Sequence, residues 1–280
     1  MRWQLTISDK DPKKPPVSVT VEGNDWFTAF EAGLKKQPSS GGLVGSLRCA
    51  LHPGKILKII DVLSQQNYDL RPADPAGSAA PQIDLAPAAD QAPRPPIPSP
   101  PETFALGADV ISAFERMQAV TALGDRRQVA EFGLSLTMDL IPCQTGLCML
   151  QTSKKKECYW AAKKAQSADL FPADPIDVDI GIVGFALRMG AVVTVSRLGN
   201  EPLSAAECHT PATYETANTM CAPLQFEGRT AGALLLLNSL KQSGFSQSDT
   251  NTLSYVAGAL AEYLEKSLPV PVSGSKGNVG

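Results

Sequence analysis

Five consecutive apolar residues, Ala233-Leu234-Leu235-Leu236-Leu237, follow Gly232 without a polar break. A strand that faces water on one side alternates apolar and polar residues, so a run without alternation needs cover on both faces. The fold must therefore place a layer on each side of this strand. Cys221 to Phe226 reads as its partner strand, and Glu227-Gly228-Arg229-Thr230 reads as the polar turn of a hairpin. Pro223 has no N–H to give to a ladder, which places it at a strand start or an edge. Gly232 inside the second strand predicts a bulge or a close backbone approach.

Length and charge bound the function classes. With 280 residues, 43% of them hydrophobic and 19% charged, the chain can bury a sizeable core and form two small domains or one large one. A net charge of -3 gives no overall pull toward nucleic acid or an anionic membrane, so neither is expected as a partner. The N-terminus carries no apolar signal region, and the chain holds no uninterrupted apolar run long enough to span a bilayer; a soluble, cytoplasmic protein is expected. Six cysteines stand at 49, 143, 148, 158, 208 and 221, with no C-x-x-C. That spacing argues against a zinc ribbon or a disulfide scaffold, and small buried hydrophobes are the ordinary role. Asp169, Asp174, Asp177 and Asp179 lack EF-hand spacing, and Pro172 and Pro175 mark a surface loop there; no metal site is expected.

Taken in order, residues 1–72 read as a small α+β domain. Trp3, Leu5 and Ile7 alternate, as do Val17, Val19 and Val21, giving two strands. Asp25 is placed to cap a helix with Trp26, Ala29, Phe30, Gly33 and Leu34 on its apolar face. Leu47, Cys49 and Leu51 form a third strand, His52-Pro53-Gly54 turns the chain, Lys55 to Asp61 returns it, and Tyr68 and Leu70 extend the sheet. From Ala73 to Pro101, nine prolines and eight alanines leave too little apolar surface to offset ordering, so 73–102 is expected to be a disordered Pro/Ala-rich linker. The two flanking units are then expected to fold independently. After it, Val110, Phe114, Met117 and Thr121 mark one helix face within 104–122, and Asp125 caps a second helix ended by Pro142. A hairpin follows, with Lys154-Lys155-Lys156 at its solvated tip. Ser246 and Asp249 open the last helix, 247–267, with Leu253, Val256, Ala257, Leu260 and Leu264 as its stripe. Residues 269–280 read as a disordered tail.

The second unit, 103–268, carries a series of marks in a definite order. These are Gly181-x-x-Gly184-x-Ala186 opening a helix closed by Gly190, Val193-Thr194-Val195, Cys221-Ala222-Pro223-Leu224, Gly232, Asn238, and Phe245-x-x-x-Asp249. In that order and spacing they resemble the GAF domain family, small-molecule sensor domains of signalling proteins. The resemblance implies an α+β fold: an antiparallel sheet with helices on one face and a ligand pocket under loops on the other. It also implies first and last helices that pair between protomers, hence a homodimer. The chain departs from the family's cyclic-nucleotide-binding members, which carry a lysine and a glutamate where Ser239 and Thr250 stand. Their ion pair is lost unless Lys241 substitutes, and binding of a cyclic nucleotide is not expected.

The pocket reading rests on the helix that opens at Gly181. A helix N-terminus favours an anion or a carbonyl, and Gly181 and Gly184 let a ligand approach the backbone. Trp160, Phe185 and Tyr214 are the candidate apolar walls; Thr194, Thr219 and Cys221 are the candidate small polar contacts. Cys208-His209 resembles the attachment dipeptide of chromophore-binding members of the family, to be weighed against a structural loop cysteine. No cofactor is assigned. The chain thus reads as a non-enzymatic regulatory or signalling protein whose GAF-like domain senses a small molecule or binds a partner protein. The alternative is a ligand-free scaffold for dimerisation and protein interaction. A third reading is a cysteine-based redox enzyme of the methionine sulfoxide reductase type. A polar, open pocket would favour the first, a closed apolar interior the second, and exposed low-pKa cysteines the third.

Overall fold

A computed structural model describes residues 1–9, 14–36, 46–52, 56–62, 64–73, 108–152, 157–165, 171, 176–177, 180–197 and 203–268. The Pro/Ala-rich linker, the lysine tip, the turn at 53–54, most of the acidic segment and the C-terminal tail lie outside these residues. The first unit runs β1 (Arg2–Ser8), β2 (Val17–Glu22), α1 (Trp26–Lys35), β3 (Ser46–His52), β4 (Ile56–Asp61) and β5 (Asn67–Pro72). Alternation works here as expected: Trp3, Leu5 and Ile7 are buried against α1, with Leu47, Cys49, Leu57 and Ile59 on the same side. Asp25 starts α1 by accepting from Thr28 N at 2.8 Å, while the Thr28 hydroxyl accepts from Asp25 N at 3.3 Å.

The second unit begins with α2 (Ala108–Met117) and a 3-10 turn at Gln118–Ala122, then α3 (Arg126–Leu140). It continues with β6 (Cys143–Gln151), β7 (Glu157–Ala165), β8 (Ile176–Asp177), α4 (Gly181–Met189) and β9 (Val192–Arg197). The short helix α5 (Ala205–Cys208), β10 (Asn218–Phe226), β11 (Arg229–Ser239) and α6 (Gln247–Ser267) complete it. The face of α2 differs from the expected stripe. Val110, Ala113, Met117 and Val120 face inward, whereas Phe114 is 55% exposed and Thr121 is exposed. The tighter 3-10 turn after Met117, with its period of three, carries the inward face to Val120 instead of Thr121, while within α2 the inward face runs through Ala113 and not Phe114.

The β10–β11 hairpin is the centre of this unit. Its turn is the two residues Glu227 and Gly228, shorter than the four expected, with φ of 49° and 75°; left-handed backbone at both positions is what a tight two-residue hairpin requires. Both expectations for Gly232 are met. The register slips opposite it between Leu224 and Gln225, and a side chain at 232 would collide with the Met149 carbonyl. β11 lies between β10 and β6 and is covered twice. Leu234 and Leu236 pack under α3 and α6, while Ala233, Leu235 and Leu237 face the α4 side. Each fully buried leucine contributes on the order of 1.5–3 kcal/mol relative to an exposed one. The α6 stripe from Leu253 to Leu264 belongs to this core, with Leu260 wholly buried against Gly133 of α3.

The two units meet in a single sheet. β3 pairs with β9 in parallel from Ser46↔Val192 to Leu51↔Arg197, giving eleven strands in the order β2-β1-β5-β4-β3-β9-β10-β11-β6-β7-β8. It is the one parallel pair among the described strands. The apolar residues of α1 and of α4 consequently share one continuous core. Independent folding of the two units was the expectation from the linker, and this seam opposes it: either unit alone would expose a strand edge and a large apolar face.

The α4 face as candidate functional site

The expected pocket lies on the side of the sheet that carries α4. Gly181 opens the helix with φ of +67°, and Gly190 closes it with φ of +64°, a left-handed cap that glycine adopts without steric cost. The helix N-terminus does not face open solvent. A Cβ at Gly181 would collide with the Glu207 carbonyl oxygen and come within 3.0 Å of His209 Nε2. The His209 ring donates from Nε2 to the Ile180 carbonyl at 2.8 Å, because that oxygen can only accept. The end of α5 thus packs, from within the chain, against the first residue of α4. Gly184 is buried, and its N–H donates to the Ile180 carbonyl at 3.3 Å.

Phe185, one of the expected walls, is fully buried and enclosed by three aromatic rings of α1. Its centroid lies 5.8 Å from Trp26, 5.2 Å from Phe27 and 6.0 Å from Phe30. Tilted and edge-on rings at these separations add about 0.5–1.5 kcal/mol per pair beyond area burial. An ion pair of 2.7 Å from Arg188 of α4 to Glu31 of α1 closes the rim. Among the described residues, a cavity of about 10 Å³ is bordered by Trp26, Phe27, Ile182, Cys208 and Thr219, room for no more than about one water.

The other candidates separate. Thr219 and Cys221 are wholly buried on the α4 side, with the Thr219 hydroxyl lacking a hydrogen-bond partner among the described residues. Thr194 is on the opposite face. It pairs across the ladder with Met220, which packs under α6, so alternation removes it from the α4 side. Trp160 and Tyr214 lie in the same continuous core as Phe185 but contact Phe171, at 6.1 and 5.7 Å, and not the α1 rings. The Tyr214 hydroxyl sits 2.8 Å from that of Thr145. Asn238 is occupied with structure: it accepts from Ala217 N and donates to the Glu215 carbonyl, both at 2.8 Å, fixing the loop before β10. Lys241 does substitute for the missing lysine, binding Asp249 at 2.7 Å, but it serves the start of α6 and not the α4 face.

All six cysteines are buried and unpaired. Burial pushes the thiols of Cys143, Cys148, Cys158 and Cys208 up to about 12, and those of Cys49 and Cys221 well above their ordinary value. Cys208, at 2% exposure, is no poised nucleophile beside His209, whose ring is engaged by Ile180. No group of three or more metal-ligating side chains occurs among the described residues.

A GAF domain model matches residues 105–264, more than half of the chain. The chain belongs to the GAF domain family. Solved structures similar to this GAF chain include the GAF domain of the Acinetobacter phosphoenolpyruvate-protein phosphotransferase, at 12% identity, 56% of this chain, 92% of that chain and a TM-score of 0.46. Others are the free methionine-R-sulfoxide reductase of Neisseria meningitidis in complex with its substrate (18%, 55%, 87%, TM-score 0.45) and the cyanobacteriochrome TePixJ GAF domain (13%, 53%, 94%, TM-score 0.44). No curated protein matches the chain.

The α1 residues and Glu207 had no place in the site expected from sequence. One signal was present: Phe27 is buried although it lies outside the α1 stripe of Trp26, Phe30 and Leu34, so the helix needs a second apolar partner. Glu207 lies half-buried near Asp25 and the Trp26 indole. Burial is the main cause that pushes its carboxyl above 4.5, and Asp25 adds to it. A carboxylate raised in this way contributes stability that is full below 4.5 and lost as pH rises through the folded value. Glu207→Gln should therefore raise the urea midpoint at pH 7, and the gain should shrink as the pH is lowered toward 4.5. A lower midpoint at pH 7, or a gain independent of pH, contradicts this.

Proposed function

We propose that this GAF protein is a non-catalytic regulatory module that works through protein interaction, with its sensing face filled by its own N-terminal unit. The observation that carries this reading is the enclosure of Phe185 by Trp26, Phe27 and Phe30, beside a cavity among the described residues of only about 10 Å³. A metabolite of ordinary size needs about 300 Å³ or more. It could enter only by displacing α1, so α1 takes the position of a built-in ligand whose retention or release is the signal. Buried, high-pKa thiols weigh against a cysteine-based reductase, and six unpaired cysteines fit a reducing, cytoplasmic setting. No helix among the described residues is long and apolar enough to cross a membrane.

A thermal-shift screen of metabolites tests the filled face. Wild type is expected to show no stabilisation that Gly184→Val abolishes. A metabolite that stabilises wild type by several degrees and leaves Gly184→Val unmoved would overturn the reading and restore a small-molecule sensor.

A homodimer through α2 and α6 is part of the same proposal. Ile111 is 48% and Phe114 55% exposed on α2, and the Phe114 ring lies 6.4 Å from Tyr255 of α6, making an apolar strip. Leu260 is unsuited as a probe because it is core within the monomer. Phe114→Glu should convert a sedimenting dimer to monomer while leaving the melting temperature within a few degrees. A wild type that sediments as monomer at high micromolar concentration excludes the dimer.

A further inference from the structure

On the other side of the seam from α1 lies a half-buried arginine that nothing among the described residues answers. Arg48 projects from β3 away from the shared core, since its neighbours Leu47 and Cys49 face α1. Its Nε is closed off from solvent with no hydrogen-bond partner, and no ion pair reaches its guanidinium among the described residues. A partly desolvated cation without a partner is costly, and native structures keep few of them. Directly across the β3–β9 pair stands Thr194, 5% exposed, whose hydroxyl also lacks a partner. Two unsatisfied polar side chains thus occupy adjacent positions on one face.

Arg48 lines a groove of about 470 Å³ with Asp9, Ile60, Gln65, Asn67 and Gln247. The volume is that of a small-molecule site. Ile60, 43% exposed, gives it an apolar floor, and three side-chain amides line it, that of Gln247 donating to Asn251 Oδ1 at 2.9 Å. Gln247 is the first residue of α6, so the start of that helix, capped by Ser246 and Asp249, borders the same groove as the guanidinium. The acid at the rim, Asp9, already pairs with Lys14 at 2.9 Å. It leaves the arginine uncompensated, yet its charge would oppose a dianion.

We propose that this groove binds a small monocarboxylate with a short apolar body, anchored by the guanidinium of Arg48. A carboxylate matches the guanidinium fork and carries the single charge that the rim tolerates. The apolar body lies over Ile60, and the side-chain amides of Asn67 and Gln247 flank it. All of these residues but Gln247 belong to the N-terminal unit, so a bound ligand bridges that unit to α6 of the GAF domain. This site lies across the sheet from the α4 face, and its occupancy does not depend on whether α1 is displaced.

The test is a titration of the full chain with sodium butyrate at constant ionic strength, followed by NMR of the arginine Nε–H and side-chain amide signals. Arg48→Gln identifies the Arg48 signal by its loss. The expected result is a saturable shift of the Arg48 Nε–H and Gln247 amide signals, with affinity at least fivefold weaker in Arg48→Lys. Asn67→Asp changes an exposed rim residue that does not support the core, and it should weaken binding by a similar factor with the melting temperature unchanged. Inorganic phosphate and butylammonium should give no saturable shift. A linear, unsaturable response to butyrate, equal affinity in wild type, Arg48→Lys and Asn67→Asp, or phosphate binding as tight as butyrate would each overturn the proposal.

Discussion

The six-residue parallel pairing of β3 with β9 is the constraint on which the rest of the molecule depends. It extends the GAF sheet through the N-terminal unit and fixes α1 over α4. From that placement follow the aromatic enclosure of Phe185, the Arg188–Glu31 pair and the loss of pocket volume. Parallel strands need long connections, and here the two strands are separated by more than a hundred residues of chain. The association therefore rests on the apolar area buried by α1 and on the ladder, not on local closure.

The same placement orders the chemistry. Thiols packed in this core stay protonated, the end of α5 packs against the first residue of α4 and His209 is held by Ile180. Polar groups without partners among the described residues occur on both faces, at Trp26 and Thr219 on the α4 side and at Arg48 and Thr194 on the other. The seam is thus tightly packed on the α4 side and borders a groove on the other. A regulatory protein can use such a joint, because a ligand or partner that binds only the joined state shifts the equilibrium by mass action.

Local signals in the sequence carried much of the fold. The caps at Asp25 and Ser246, the bulge at Gly232, the αL stop at Gly190 and the double cover of β11 each follow from residues within a few positions of one another. The GAF family itself was legible from the spacing of short motifs. What was not legible is non-local. No residue in β3 specifies β9 as its neighbour, since any strand edge offers the same backbone groups. Alternation separates Thr194 from Val193 and Val195, but only the register with β10 says which face holds the α4 core. The α2 face was misread at Thr121 because a 3-10 turn changed the period after Met117. Trp26 and Phe30 were visible as the apolar face of a helix, whereas Phe27 was not, and the packing of all three against Phe185 depends on the seam.

Native-state hydrogen exchange across the seam bears most directly on this account. If β3 and β9 are neighbours in one cooperative core, their ladder amides should exchange with opening free energies that agree within about 1 kcal/mol and rise and fall together as urea is added. Exchange of the β3 and α1 amides orders of magnitude faster than those of β9 and β10 would contradict it. The N-terminal unit would then open separately, leaving the α4 face free for long enough to serve as an ordinary pocket.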